Sequence, residues 1–436
     1  MTKDKARMTK RMGRLFAAGI LALVLAGVAG CASQLMPTPN LYAVGRADPF
    51  ADVPVERRSN TVELLYVTDR EPDGANGKQP HYGYGRSSSM AFGTVDVRFG
   101  RNISWPELVA ASRSQIRLLN LAISVGGVKE LGRFPPWPPM WRHEPGGGFV
   151  ETAESADQRR AAEQALKDAI RQRLAVGTCK DVYLYLHGFD NTFEESVQVM
   201  AQVWHFLGRR GVPIAYSWPA GRGGLRGYPY DRESSEFTVL HLKRLLQLLG
   251  ECPEVGRVHV LAHSRGTDAA VTALRELHLE YTAAGRPTGE ALKLGTLVLA
   301  SPDIDLDLAL QKLSDQQLFR VPELTVVYVS RGDLALKLAN WLFLGMTRLG
   351  RVRPRDLPQE ALTVLRDSGT VQVVDTYDVS TGFLGHDDFF WSPAVSSDLM
   401  LVLRDHRKPG AENGRPLGVE AAGFWCIGTD YPRNDR

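Results

Sequence analysis

A single serine stands where a buried strand is expected to turn sharply into a helix. Segment 258–266 reads VHVLAHSRG, so Ser264 directly follows an apolar run. Such a junction can hold a serine hydroxyl above a sheet as a nucleophile. Strand and helix nearly touch there, which requires small residues two positions before and after the serine. Gly266 meets that requirement and Ala262 adds only one methyl group. A serine that merely caps a helix is the alternative interpretation.

A serine hydroxyl becomes a good nucleophile only when a base takes its proton. At junctions of this kind, the partners follow along the chain in the order serine, acid, histidine. Only His386 and His406 come after the last candidate acid. His386 lies in a loop beyond the last predicted core strand, whereas His406 lies in the charged run 404–408 and is expected at the surface. We therefore assign the base to His386.

Two strand ends can supply the carboxylate that orients the imidazole. The predicted strand 324–330 leads into Asp333, and the predicted strand 296–300 leads into Asp303. The later strand end is the more usual source, so Asp333 is preferred and Asp303 is the alternative. An aspartate that caps the following helix is the other interpretation of Asp303.

Backbone N–H groups must stabilise the negative oxygen that forms when a serine attacks a carbonyl. Arg265 supplies one donor because it directly follows the nucleophile. The other donor is expected from Phe189, in the loop after the strand 182–186, where Gly188 lets the chain turn. This chemistry needs no cofactor. The sequence has no CxxC or His/Cys cluster with metal-ligand spacing, so no metal site is expected either.

The elements that must position these residues are short β-branched and aromatic runs, which alternate with helical patterns. This alternation indicates a mostly parallel sheet with helices on both faces. Strands are predicted at 62–68, 94–98, 182–186, 213–217, 258–261, 296–300, 324–330 and 371–377. Helices are predicted at 192–207, 240–249 and 267–280. The first of them has a capping box of Thr192 and Glu195 and ends at Gly208.

The segment 133–150 fits neither a strand nor a helix. At its centre it reads FPPWPPMWRHEPGGG, which combines prolines and tryptophans with a glycine run. A surface loop that packs its tryptophans on the body is one interpretation, and a lid or acyl-binding wall is the other.

The N-terminus has the layout of an export signal. A basic region that ends at Arg14 precedes sixteen uncharged residues, 15–30, which are fewer than the roughly 20 that cross a bilayer comfortably. The run ends in Val-Ala-Gly-Cys, which resembles the lipobox of bacterial lipoproteins and predicts lipidation of Cys31. Ala32 in place of aspartate favours the outer membrane, by resemblance to sorted lipoproteins. A signal anchor or a cleaved soluble protein is the alternative.

The three remaining cysteines are Cys179, Cys252 and Cys426. An exported protein can form disulfides, and three thiols leave one unpaired. Cys179 and Cys252 each precede an apolar run by a few residues, so they meet at one sheet edge if those runs are neighbouring parallel strands. A Cys179–Cys252 disulfide and three unpaired thiols are both compatible with this spacing.

The charge balance argues against a nucleic-acid-binding protein. The chain has 52 basic and 49 acidic residues, and residues 1–30 hold six of the basic and one of the acidic ones. The rest therefore has 46 basic and 48 acidic residues, which leaves no basic surface for phosphates. With 44% hydrophobic and 23% charged residues, the composition is that of a globular protein.

Several motifs together resemble a bacterial group of uncharacterised α/β hydrolases of the esterase/lipase type. They are YLYLHGFDNTF, SWPAGRGG, VHVLAHSRGTDAA, VYVSRGDLAL and GHDDFFWSPA. The likeness runs from about Val62 to Leu403. It implies an α/β-hydrolase fold, points to Ser264 and His386, and matches Asp333 to the acid position. It does not imply a substrate.

We therefore expect a lipoprotein signal peptide at 1–30, a flexible tether at 31–60, an α/β-hydrolase domain at 61–405 and a tail at 406–436. The expected activity is hydrolysis of carboxylic esters through an acyl-enzyme, at the cell envelope and facing the periplasm. A thioesterase, an amidase, a lipase or a peptidase is possible with the same residues. The alternative from another class is a lipid-anchored interaction protein whose hydrolase fold is not catalytic. Oligomeric state is not indicated.

Overall fold

The computed structural model describes residues 33–45, 47–74, 80–117, 121–223, 227–342, 346–381 and 385–433. The strands in these ranges are β1 (Thr61–Pro72), β2 (Tyr82–Phe99), β3 (Ile123–Arg133), β4 (Trp141–Glu144), β5 (Gly148–Glu151), β6 (Asp181–Leu186), β7 (Val212–Ser217), β8 (Arg257–His263), β9 (Leu294–Ala300), β10 (Leu324–Val329), β11 (Val371–Asp375), β12 (Gly418–Ala421) and β13 (Phe424–Cys426). The predicted signal peptide and Cys31 lie outside the described residues.

The helices in the same ranges pack around the strands. They are α1 (Asn40–Ala43), α2 (Trp105–Arg113), α3 (Ala153–Leu174), α4 (Phe193–Phe206), α5 (Gly227–Glu251), α6 (Gly266–Ala283), α7 (Thr288–Leu292), α8 (Leu306–Ser314), α9 (Leu334–Leu342), α10 (Gln359–Ser368), α11 (Asp388–Trp391) and α12 (Pro393–Leu403). Short 3-10 helices cover Val55–Arg57, Asp315–Arg320, Leu349–Arg351, Pro354–Asp356, Tyr377–Val379 and Ala411–Asn413. None of the helices described here is both long and apolar enough to cross a membrane.

One large sheet organises the molecule. Its strand order is β12-β13-β11-β10-β9-β8-β6-β7-β1-β2-β3. The strands from β13 to β1 run parallel to one another, whereas β12, β2 and β3 add antiparallel edges. The α/β architecture with a mostly parallel sheet is therefore confirmed, and the sheet has more strands than the eight predicted.

Both faces of the sheet are buried, which explains why its central strands are continuous apolar runs. Leu184 and Val260 belong to the core on one face, while Tyr185 and Leu261 belong to the core on the other. Helix α4 begins as the sequence predicts, because Thr192 and Glu195 form a reciprocal capping box. The parallel strands end at one edge of the sheet, and the loops that follow them carry the predicted site.

The segment predicted as a flexible tether is instead packed on the body over its described part. Leu35, Met36, Leu41 and Tyr42 are buried in the core on one face of the sheet. The Met36 N–H donates to Gln202 Oε1 at 2.6 Å. The prediction of a tether over 31–60 was wrong for these residues, because prolines and weak periodicity do not reveal an irregular segment that fills a groove between other elements.

The C-terminal region is also part of the fold and not a separate tail. Strands β12 and β13 extend the sheet beyond β11, and the Arg415 side chain is fully buried. Arg415 Nε and Nη2 donate to the two carboxylate oxygens of Asp398, each at 2.7 Å. The region expected as a tail from 406 is therefore packed on the domain, since a buried bidentate ion pair joins it to helix α12.

The segment 133–150 contains a small hairpin, although the sequence predicts neither strand nor helix there. Strands β4 and β5 pair antiparallel around the glycine run. Trp137 lies under the Arg244 guanidinium of helix α5, 3.7 Å from the ring centre, whereas the Trp141 side chain is about half exposed. One tryptophan thus packs on the body, as in the surface-loop interpretation.

The Cys179–Cys252 disulfide is not formed, because all three described cysteines are free thiols. Cys179 Sγ instead donates to Asp181 Oδ2 at 3.4 Å, and Cys252 Sγ donates to Glu254 Oε2 at 3.3 Å. Each thiol thus donates a hydrogen bond to the carboxylate two positions further along the chain.

Candidate active site

Ser264 occupies the sharp turn between strand β8, which ends at His263, and helix α6, which begins at Gly266. Its φ angle of 49° lies in the left-handed region, which is costly for a residue with a side chain. The turn is held in place because the Ser264 N–H donates to Ala300 O at 2.9 Å and the Asp303 N–H donates to Ser264 O at 3.2 Å. The strained backbone is therefore fixed from strand β9 and the loop that follows it.

Small residues around Ser264 are required by close backbone approaches. A Cβ atom on Gly266 would lie 2.3 Å from His187 O and 3.1 Å from Leu186 O. A Cβ atom on Gly188 would lie 2.8 Å from the Ser264 Cβ. Helix α6 and the loop after β6 thus converge on the serine, which is the crowding expected at such a junction.

The structure brings Ser264, His386 and Asp333 into one hydrogen-bonded line. His386 Nε2 lies 2.8 Å from Ser264 Oγ, and His386 Nδ1 lies 2.7 Å from Asp333 Oδ2. With its proton on Nδ1, the imidazole donates to the carboxylate and accepts from the serine hydroxyl. All three side chains are buried. This is the geometry that a serine nucleophile, its base and an orienting acid require.

Asp333 is fixed by the helix that it precedes. It lies between the end of β10 and the start of α9, where its Oδ1 accepts from the Leu336 N–H at 2.9 Å. One carboxylate oxygen thus caps the helix and leaves the other for the imidazole. Asp303, the alternative acid, lies among cations, with Oδ2 3.6 Å from Arg265 Nη1 and Oδ1 3.4 Å from Arg348 Nε.

The backbone and loop around His386 are held on both sides. The His386 carbonyl accepts from Ser301 Oγ at 2.7 Å and lies 3.3 Å from His263 Nε2. Two residues later, the Asp388 carboxylate accepts from Thr376 Oγ1 at 3.2 Å and Ser380 Oγ at 3.1 Å. The imidazole therefore sits on a loop that is tied to the ends of strands β9 and β11.

The charges around His386 favour its protonated form. Burial alone would lower the pKa of His386, but the Asp333 carboxylate, with smaller contributions from Asp387 and Asp303, raises it above the ordinary value. The neighbouring His263 behaves oppositely, since burial lowers its pKa to about 4 despite the Asp387 carboxylate. The pKa values of the two histidines at the site are thus shifted in opposite directions, and only His386 contacts the serine hydroxyl.

Two backbone N–H groups beside Ser264 have no hydrogen-bond partner among the described residues: those of Arg265 and Phe189. The neighbours of Phe189 in its loop are both engaged. The Gly188 N–H donates to Asn191 Oδ1 at 3.2 Å, and the Asp190 N–H donates to Asp231 Oδ2 at 2.9 Å. The two predicted oxyanion donors are therefore available to an added acceptor.

The loop that carries Phe189 rests on a buried arginine that the sequence analysis missed. Arg70 Nη2 donates to Asn191 O at 2.7 Å, Nη1 donates to Ala220 O at 2.7 Å, and Nε donates to Ser217 Oγ at 2.8 Å. The side chain is 1% exposed. Nothing in one sequence separates an arginine just after a predicted strand from a solvated one, so no signal could have revealed it.

Asp231 ties the same loop from the other side. Its Oδ2 accepts from the Asp190 N–H at 2.9 Å and from the Gly221 N–H at 3.4 Å. Burial raises the pKa of Asp231 to about 7. His187, the first residue of the loop, stacks on Trp218 and is neutral because burial lowers its pKa well below the ordinary value. The loop is thus held by groups that do not touch the serine.

Residues 162–404 match the family model described as alpha/beta hydrolase of unknown function (DUF900). The chain belongs to this family. In this alpha/beta hydrolase of unknown function, the resemblance was expected to start at Val62, but the family match begins about a hundred residues later. Strands β1–β3 therefore lie outside the matched part of the chain. Among curated proteins, no match to the chain was found. The family match covers every residue of the Ser264–His386–Asp333 line and both N–H donors.

Proposed function

We propose that this alpha/beta hydrolase is a serine hydrolase that cleaves carboxylic esters through an acyl-enzyme. The observation that supports the proposal is the unbroken line from Ser264 Oγ through His386 to Asp333 Oδ2, with contacts of 2.8 and 2.7 Å. Three residues from distant parts of the chain meet in the order and spacing of a nucleophile, a base and an acid.

The first half of the reaction forms the acyl-enzyme. His386 Nε2 takes the proton of Ser264 Oγ as that oxygen attacks the ester carbonyl carbon. The carbonyl oxygen becomes negative and accepts from the Arg265 and Phe189 N–H groups. His386 then gives its proton to the departing alkoxide, so that an alcohol leaves and an ester to Ser264 remains.

The second half releases the acid. A water molecule gives a proton to His386 Nε2 and attacks the acyl carbon, and the same N–H groups stabilise the second oxyanion. His386 then returns the proton to Ser264 Oγ, and the carboxylic acid leaves. Asp333 keeps the proton on Nδ1 and stabilises the imidazolium in both halves. Esters are proposed as substrates in preference to amides and peptides because an alcohol leaving group needs less assistance than an amine.

Covalent labelling with a fluorophosphonate probe tests the proposal. The full chain should react stoichiometrically, and Ser264→Ala should not. Ser330→Ala is a matched control, because the Ser330 hydroxyl is buried nearby without a hydrogen-bond partner among the described residues. Labelling that persists in Ser264→Ala, or that never occurs in the folded wild-type protein, would contradict it and favour the non-catalytic interaction protein. A panel of p-nitrophenyl esters of increasing acyl length then defines the substrate.

We also propose that Cys31 carries the lipid that anchors this enzyme to the envelope, at the outer membrane and facing the periplasm. Leu35 is already packed on the body, so the chain between it and Cys31 spans at most about 14 Å. The enzyme body would therefore lie close against the membrane surface, within reach of lipid esters. Metabolic labelling with an alkyne fatty acid should be lost in Cys31→Ser and kept in Cys426→Ser. Equal labelling of both variants would contradict the anchor.

A further inference from the structure

A second cluster of polar side chains lies away from the serine, toward the opposite edge of the sheet. Asp181 is the first residue of β6, His259 is the third residue of β8, and His406 follows helix α12. One carboxylate oxygen and one ring nitrogen from each histidine all lie within 4.8 Å of one another. The sequence did not suggest this cluster, because its members are far apart in the chain and show no metal-ligand spacing.

His259 is the unusual member, because its polar atoms are buried without partners. Its side chain is 1% exposed, and neither ring nitrogen has a hydrogen-bond partner among the described residues. Its ring packs nearly parallel to the rings of Tyr183 and His406, with 5.2 and 5.1 Å between ring centres. A buried imidazole normally satisfies at least one nitrogen, since an unpaired buried polar group is destabilising.

The free nitrogen of His259 faces the other two members of the cluster. His259 Nε2 lies 3.7 Å from Asp181 Oδ2, which is too long for a hydrogen bond. It is close to the roughly 3.4 Å that separates two ligand atoms on a tetrahedral zinc with bonds of about 2.1 Å. The three ligand atoms lie within 4.8 Å of one another, so the side chains must draw closer together to hold an ion, and His406 is the exposed member. The Cys179 thiol donates a hydrogen bond to the same Asp181 oxygen at 3.4 Å.

We propose that Asp181, His259 and His406 bind one Zn²⁺ ion. Two imidazoles and one carboxylate are a donor set that zinc accepts readily, whereas Ca²⁺ and Mg²⁺ prefer oxygen ligands alone. The ion satisfies the buried His259 nitrogen. It also ties the chain after α12, which continues into β12 and β13, to the two central strands β6 and β8. The site is structural, since none of its ligands contacts the Ser264 line.

Metal content of the untagged full chain tests the site. After treatment with a chelator, the protein is titrated with Zn²⁺ in competition with a fluorescent indicator, and the bound metal is counted by mass spectrometry after gel filtration. We expect one equivalent for the wild type. His406→Ala removes an exposed ligand and should weaken binding by at least about 100-fold, because losing even a hydrogen-bond partner of a ligand costs about 10- to 100-fold. His143→Ala, an exposed histidine outside the cluster, should leave binding unchanged.

Thermal unfolding provides a second readout that does not depend on the buried ligands tolerating substitution. Zn²⁺ should raise the Tm of the wild type and of His143→Ala but not that of His406→Ala. Absence of stoichiometric zinc in the wild type, or equal affinity in His406→Ala, would overturn the proposal. Fluorophosphonate labelling of Ser264 should proceed in excess chelator, so the failure of the zinc site and the failure of the proposed hydrolase activity are separate results.

Discussion

His386 Nε2 lies 2.8 Å from Ser264 Oγ, although the two residues are 122 positions apart in the chain. The contact is possible because strands β8 and β11 end at the same edge of the sheet, so the loop after β11 can reach the turn after β8. The parallel strands thus bring together the proposed nucleophile and its proposed base, which no local sequence feature connects. The Ser301 hydroxyl donates a hydrogen bond to the His386 carbonyl at 2.7 Å and so holds the His386 backbone in place.

Of the two candidate acids, Asp333 should matter for kcat, whereas Asp303 should matter for the stability of the fold. Asp333→Asn keeps the shape of the side chain but favours the wrong imidazole tautomer, so kcat should fall by about 1000- to 10,000-fold. Asp303→Asn should leave kcat within about threefold but lower the free energy of unfolding by about 1–3 kcal/mol, because Arg265 and Arg348 lose part of their buried counter-charge. Steady-state kinetics and urea unfolding of both variants check this. An unchanged kcat in Asp333→Asn would contradict the assignment of Asp333 as the acid.

The pH dependence of kcat/KM should report the charge environment of His386. The imidazole must be neutral to accept the serine proton, and the carboxylates of Asp333, Asp387 and Asp303 hold its pKa above the ordinary value. Activity should therefore be lost as pH falls through a midpoint that lies above the ordinary histidine value. In Asp387→Asn the midpoint should move to lower pH, because one negative charge is removed. A midpoint that does not move would show that Asp387 is screened from the site.

The sequence revealed those parts of the fold that follow local periodicity. All eight predicted strands occur, and seven of them belong to the buried parallel part of the sheet, where strands are largely apolar. Helix α4 was recognisable because it carries its own cap. Strand β3 was missed, since it is an edge strand with two adjacent glycines, and only one of its residues is buried. Strands β12 and β13 were missed because each is three or four residues long.

The residues of the candidate site also differ in whether the sequence predicts them. Ser264 and Asp333 follow strand ends and His386 lies in the loop after β11, where chain order and turn residues reveal them. Arg70 was not recognisable, since Asn191 O, Ala220 O and Ser217 Oγ, to which it donates, belong to segments more than a hundred residues away. Contacts of this kind are set by tertiary packing and leave no pattern in a single sequence.

Breaking the ion pair between Arg415 and Asp398 should destabilise the whole domain. Arg415→Met leaves a buried carboxylate without its bidentate partner, which costs about 3–5 kcal/mol of unfolding free energy. Arg366→Met is the control, because Arg366 and Asp367 form an exposed pair and its removal should leave stability unchanged. Urea unfolding followed by tryptophan fluorescence measures both. If Arg415→Met unfolded at the wild-type midpoint, the C-terminal strands would not be integral to the fold.

The loop that offers the Phe189 N–H should depend on Arg70 for its position. The substitution Arg70→Lys keeps the positive charge, but one ammonium group cannot reach Asn191 O, Ala220 O and Ser217 Oγ together. The loop should relax, and kcat should fall by about 10- to 100-fold, which is less than the roughly 100- to 1000-fold cost of losing a whole oxyanion donor.

Arg209→Lys is the matched control for that substitution. Arg209 is equally buried and donates to the carbonyls of Arg57 and Ser59, far from the serine. Both variants should unfold at lower urea concentration than the wild type. Only Arg70→Lys should slow fluorophosphonate labelling of Ser264 when the rate is measured on folded protein. Equal labelling rates in the two variants would mean that Arg70 supports the fold without positioning the oxyanion donor.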